Sequence, residues 1–134
     1  MSADNVSLVK GIYHAFGTGD VPAVVAAMSP DIVWNEAENF PYADGNPYIG
    51  AEAILDGVFA RIASEWDGFH VESEQFLDAG DTVIMIGRYA GTWRGTCQAM
   101  SPQVAHIWTC AGGKVVRFQQ LVDTLAVARA MGAA

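Results

Sequence analysis

Asp123, Glu36 and His106 are the side chains of this chain best placed to move a proton. Asp123 follows the apolar Leu121-Val122 end of a strand pattern and precedes an amphipathic stretch. Its carboxylate either caps the helix that follows or faces an apolar interior, where desolvation would lift its pKa into the range useful for moving a proton to or from carbon. Glu36 shares strand parity with Ile32 and Trp34, which turns it towards the same face; the alternative is a solvated residue opening an acidic loop. His106 interrupts the apolar run Val104 to Trp108. It is either a core or interface histidine with a hydrogen-bond partner, or an acid, base or substrate-orienting group titrating near neutrality. Gln119 and Gln120 are consecutive, so one points to each face of the strand, and the sequence leaves open which one offers its amide to a pocket.

Other chemistries lack their residues. No Gly-x-Ser-x-Gly is present, and neither Cys97 nor Cys110 has a persuasive neighbouring histidine. The glycines from Gly45 to Gly50 lack the Lys-Ser/Thr ending of a phosphate loop. His14, His70 and His106 show no metal-ligand spacing, and His70 alternates with Glu72 and Glu74 on a solvent-facing pattern. We therefore expect no metal and no cofactor.

These residues must be held by elements that the periodicity delineates. Leu8, Val9, Ile12, Tyr13 and Phe16 share one face of a helix over 4–17, stopped by Gly17-Thr18-Gly19. Asp20 caps a short second helix over 21–29, with Pro22 in its first turn. A strand begins near Asp31 and carries Ile32, Val33 and Trp34. The stretch 37–50 is dense in Pro, Gly, Asn and Asp and reads as a loop. Ile54, Leu55, Val58, Phe59, Ile62, Ala63 and Trp66 then mark the longest helix. Four strands follow, over 69–77, 81–93, 103–110 and 114–122, as an antiparallel meander, and a last helix spans 124–131. The order implies an α+β fold.

With 134 residues the chain is expected to form a single domain, 1–134, and a 51% hydrophobic composition excludes disorder. Seven Lys and Arg against 15 Asp and Glu, a formal charge of −8, disfavour nucleic acid and anionic lipid. No apolar run reaches the roughly 20 residues of a membrane span. With two unpatterned cysteines and no signal peptide, a cytoplasmic location with reduced thiols is expected. The strands at 82–86 and 103–108 are apolar at both parities. Helices can cover one face of the sheet, and a sister subunit would cover the other, giving a homodimer.

A bent sheet wrapped on helices encloses a pocket, and Trp34, Phe40, Tyr42, Phe59, Tyr89, Trp93 and Trp108 are available to line it or simply to fill a core. Its ligand would be a small, apolar molecule. The run Phe16-Gly17-Thr18-Gly19-Asp20, the run Met28-Ser29-Pro30-Asp31-Ile32-Val33-Trp34, Gly50-Ala51-Glu52-Ala53-Ile54, and Gly113-Lys114-Val115-Val116-Arg117-Phe118 leading to Asp123 together resemble the nuclear transport factor 2-like superfamily. Within it, they resemble the SnoaL-like polyketide cyclases and relatives of ketosteroid isomerase. The resemblance implies a cystatin-like, cone-shaped α+β barrel with N-terminal helices on a curved mixed or antiparallel sheet. It implies Asp123 as acid/base in the cyclase pattern, with Met131-Gly132 matching the helix finish, and Glu36 as the base in the isomerase pattern. The isomerase's oxyanion-binding acid would fall at Ala105, and its first-helix tyrosine at Ile12, one residue from Tyr13. The activity implied is proton transfer beside a carbonyl. Asp123 would exchange the proton, with Glu36 as alternative base, while His106, Trp34 and one glutamine orient the substrate. The other reading is a non-catalytic binding or dimerisation module.

Overall fold

A computed structural model describes residues 2–134. Helix α1 (Ser2–Gly17) buries Val9, Ile12 and Ala15, and Asp20 caps α2 (Val21–Ala26) by accepting from the Ala23 N–H at 3.2 Å. Helix α2 stops earlier than the sequence predicts, because Met28-Ser29-Pro30 already belong to strand β1 (Met28–Asn35). The loop region holds a 3-10 turn, Pro41–Gly45, and a two-residue strand β2 (Tyr48–Ile49). The predicted long helix is present but not uniform. It runs as α3 (Ala51–Ile54), a π-helical turn Leu55–Phe59, and α4 (Ala60–Glu65). Tyr48 sits against this turn: a Cβ at Gly57 would collide with its ring, and one at Gly45 would lie 2.5 Å from it.

Strands β3 (Trp66–Ala79), β4 (Thr82–Trp93), β5 (Gln98–Met100), β6 (Gln103–Ala111) and β7 (Lys114–Val122) lead to α5 (Thr124–Ala130). Short β5, unforeseen in the sequence, pairs with β4. The sheet order is β2-β1-β7-β6-β4-β3, and β1 lies parallel to β7, so the sheet is mixed and the meander is only part of it. It curves without closing around α1 and the π-helical segment, and the architecture is α+β. Among the described residues no helix is long and apolar enough to cross a membrane.

The inward face alternates as period-2 geometry requires. Ile32, Trp34 and Glu36 are buried along β1 and its extension; Val83, Met85 and Tyr89 along β4; Val104, His106, Trp108 and Cys110 along β6. On β7 the parity slips, Val115 and then Phe118 and Gln120 facing inward, with irregular register against both neighbours. That slip sets Phe118 between Trp34 and Trp108, and Gln120 opposite His106.

Candidate active site

The inward side chains of α1, β1, β4, β6 and β7 converge on a cavity of about 50 Å³. Aromatic rings form most of its wall. Trp34 stacks on Phe118 at 3.8 Å between centroids and meets Trp108 edge-on at 5.6 Å and Phe59 at 5.8 Å. The π-helical turn brings the consecutive Val58 and Phe59 to the lining, and α1 adds Ile12, Tyr13 and Phe16. Such turns occur frequently at functional sites.

Among the described residues Glu36 is the one carboxylate lining this cavity, and it is 3% exposed. Its backbone is clamped by Asn46, whose Oδ1 accepts from the Glu36 N–H at 2.9 Å and whose Nδ2 donates to the Glu36 carbonyl at 2.8 Å. Trp34 Nε1 donates to Oε2 at 3.1 Å, while Oε1 takes no hydrogen bond from the described residues and is not fully enclosed. Burial raises the Glu36 pKa to about 7, against smaller lowering contributions from the Trp34 hydrogen bond and the distant charge of Arg61.

A hydrogen-bonded set of Tyr13, His106, Tyr89 and Gln120 also lines the cavity. Gln120 Oε1 accepts from the Ala37 N–H at 3.0 Å, which fixes the amide so that Nε2 donates to Tyr89 Oη at 2.7 Å. Tyr89 Oη is 2.5 Å from His106 Nε2, Tyr13 Oη is 2.5 Å from His106 Nδ1, and Trp108 Nε1 donates to Tyr13 Oη at 2.8 Å. Burial holds the His106 pKa down at about 3, so the ring is neutral near pH 7, with one N–H and one bare nitrogen. One phenol therefore donates to the ring and the other accepts from it. The accepting phenol already receives a hydrogen from Trp108 or Gln120, so its own O–H has no acceptor within the set. In either tautomer one phenolic proton is left for a ligand. Burial pushes both phenol pKa values up, Tyr89 also through the Glu36 charge, so both stay protonated.

Of the residues expected at the pocket, Glu36, His106, Trp34, Phe40, Phe59, Tyr89 and Trp108 line it, Gln120 is the glutamine that enters, and Tyr13 joins them from the apolar face of α1. Asp123 does not. It is exposed at the N-cap of α5, where Oδ1 accepts from the Ala126 N–H at 3.2 Å, and the capping geometry turns it away from the interior. Gln119 lies outside the lining, its Nε2 donating to the Gln120 carbonyl at 2.8 Å. Trp93 packs on Trp66 at 4.9 Å instead of entering the cavity. Tyr42 braces the loop to α4, donating to Glu65 Oε1 at 2.7 Å and accepting from Trp66 Nε1 at 3.2 Å. Phe16, Phe69 and Phe118 line the site without having been singled out, although Phe16 lay on the predicted apolar face of α1. No three His, Cys, Asp or Glu side chains form a metal-binding group among the described residues.

The curved open sheet, the helices in its hollow and the apolar pocket between them define an NTF2-like fold. The SnoaL-like domain model matches residues 9–118, and the chain belongs to that family. An NTF2-like protein from Burkholderia thailandensis is 42% identical, with 94% of this chain and 95% of that one covered and a TM-score of 0.90. A candidate SnoaL-like polyketide cyclase from Jannaschia sp. CCS1 is 20% identical over 98% of this chain and 94% of that one, at a TM-score of 0.84. A protein with a ketosteroid isomerase-like fold from Catenulispora acidiphila is 20% identical over 95% and 93% of the two chains, at a TM-score of 0.78. These last two likenesses concern fold alone. No curated protein matches the chain.

Proposed function

We propose that the protein is an acid/base isomerase or cyclase that moves a proton beside the carbonyl of a small, largely apolar molecule, with Glu36 as the base. The observation that supports this most is a single buried carboxylate, with one oxygen free of hydrogen bonds and a pKa near 7, in the same aromatic cavity as a spare phenolic O–H. Ionised Glu36 takes a proton from the carbon next to the carbonyl, becoming a neutral acid. The electron pair moves onto the carbonyl oxygen, where the spare O–H of Tyr13 or Tyr89 donates to the developing enolate. Neutral Glu36 then returns the proton to the same or a conjugated carbon. No electrons are gained or lost overall. His106 positions the two phenols and does not ionise.

Sequence pattern offered Asp123 and Glu36 as bases; the buried position of Glu36 supports the second, and Asp123 acts as a helix cap. A second copy of the chain is the proposed cover for the outer sheet face, where Ile86, Ala105 and Leu121 lie side by side across β4, β6 and β7 and the two large residues stay exposed. The test is deuterium exchange at the α-carbons of benzylacetone, a neutral aryl ketone, in deuterated buffer. The wild-type protein should accelerate exchange, and Glu36→Gln should reduce it at least ~100-fold while binding persists. Saturable binding with no accelerated exchange would favour a non-catalytic binding module.

A further inference from the structure

The cavity around Glu36, at about 50 Å³, has room for a few water-sized groups at roughly 10–15 Å³ each, enough for a carbonyl and its immediate neighbours but not for a large amphipathic molecule whole. A second hollow of about 430 Å³ adjoins it, and Phe16, Val24, Phe59, Ile62 and Phe69 line both. The rings of Phe16 and Phe59 meet at 5.5 Å on this shared wall. A ligand that reaches Glu36 by way of this hollow passes these rings and leaves its remainder in the outer hollow.

The outer hollow is apolar except for one charged side chain, Arg94. The guanidinium is fixed at the rim: Nε donates to Asp67 Oδ1 at 2.7 Å, one terminal nitrogen to the Ser64 carbonyl at 2.9 Å and the other to the Ala63 carbonyl at 3.3 Å. Arginine carries five N–H groups, so two remain beyond these three bonds. Backbone carbonyls thus hold the planar cation in place before any ligand arrives, and its carboxylate partner, Asp67, is exposed and able to turn into solvent.

We propose that Arg94 is the counter-ion for a carboxylate at the far end of the substrate, so that the ligand is an amphipathic keto acid. Its ketone sits beside Glu36, its aryl or alkyl body lies against Trp66 and Phe69, and its carboxylate sits at the rim. This substrate class rests on the reading of the inner cavity as a carbonyl site. Arg94 is a specificity residue and takes no part in proton transfer.

The test uses para-carboxybenzylacetone and its methyl ester, with dissociation constants from tryptophan fluorescence and deuterium exchange at the ketone followed in parallel. The acid should bind about 10-fold more tightly than the ester. Arg94→Met should abolish that preference and leave ester affinity unchanged. Asp67→Asn, which removes the competing carboxylate and keeps the arginine, should tighten the acid alone; it also covers the case in which Arg94→Met fails to fold. Equal affinity of acid and ester for the wild type, a preference that survives Arg94→Met, or no saturable binding of either overturns the assignment. Exchange reports separately on Glu36: ester exchange without an acid preference refutes the Arg94 proposal alone, and an acid preference without exchange refutes only the proton-transfer reading.

Discussion

Replacing Glu36 by glutamine should make the fold more stable at high pH, and the size of the gain follows from the site. Burial raises the Glu36 pKa from 4.5 to about 7. A raised pKa means that the unfolded chain ionises first. The stabilising contribution is whole below pH 4.5 and is lost as the pH rises through 7. At 1.36 kcal/mol per unit, the full loss is about 3 kcal/mol, a large part of a typical domain's stability. The glutamine side chain of Glu36→Gln would not titrate, and its amide oxygen can keep the bond from Trp34 Nε1. Urea unfolding at pH 4 and pH 8, at constant ionic strength, gives the wild-type change minus the variant change, in which every other titrating group cancels. The wild type should lose about 3 kcal/mol more than the variant over this interval. A difference below ~0.5 kcal/mol would refute the burial argument.

Other outcomes follow from the same geometry. Trp34→Phe removes the hydrogen bond to Oε2, so the Glu36 pKa should climb further, and the pH at which ketone exchange reaches half its plateau should move up by about one unit. His106 behaves oppositely to Glu36. Its lowered pKa means that stability present above pH 6.5 is lost as the pH falls towards 3, at full extent about 5 kcal/mol, and His106→Gln should flatten that acid limb in pH-dependent denaturation. Asp123→Ala should cost roughly 1 kcal/mol in thermal or urea unfolding through loss of the α5 cap and leave exchange of benzylacetone unchanged.

The sequence was most informative where side-chain period decides the outcome. Ile32, Trp34 and Glu36 alternate without interruption, and so do Val104, His106 and Trp108; all six are buried on the side that parity assigns. Parity failed on β7, because the irregular register between Val115 and Phe118 breaks the count, and this is why Gln120 and not Gln119 meets Tyr89. Asp123 shows the limit of reading an acid at a strand end: N-capping and cavity-facing positions share the same local pattern, and only backbone direction separates them. The π-helical turn carries no mark in apolar spacing, since Val58 and Phe59 read as ordinary core positions of a longer helix. The Asn46 clamp on Glu36 and the pairing of both phenols with His106 join residues from separate elements, up to 93 positions apart, which one chain's periodicity does not encode.

The most direct measurement is the titration of the Glu36 carboxyl itself, followed by carbon-13 NMR of glutamate-labelled protein and assigned by the signal missing from Glu36→Gln. A midpoint near pH 7, with its shift sensitive to benzylacetone, is expected of a desolvated base in the cavity. A midpoint near 4.5, unmoved by the ketone, would place this carboxylate in water and remove the base from the site.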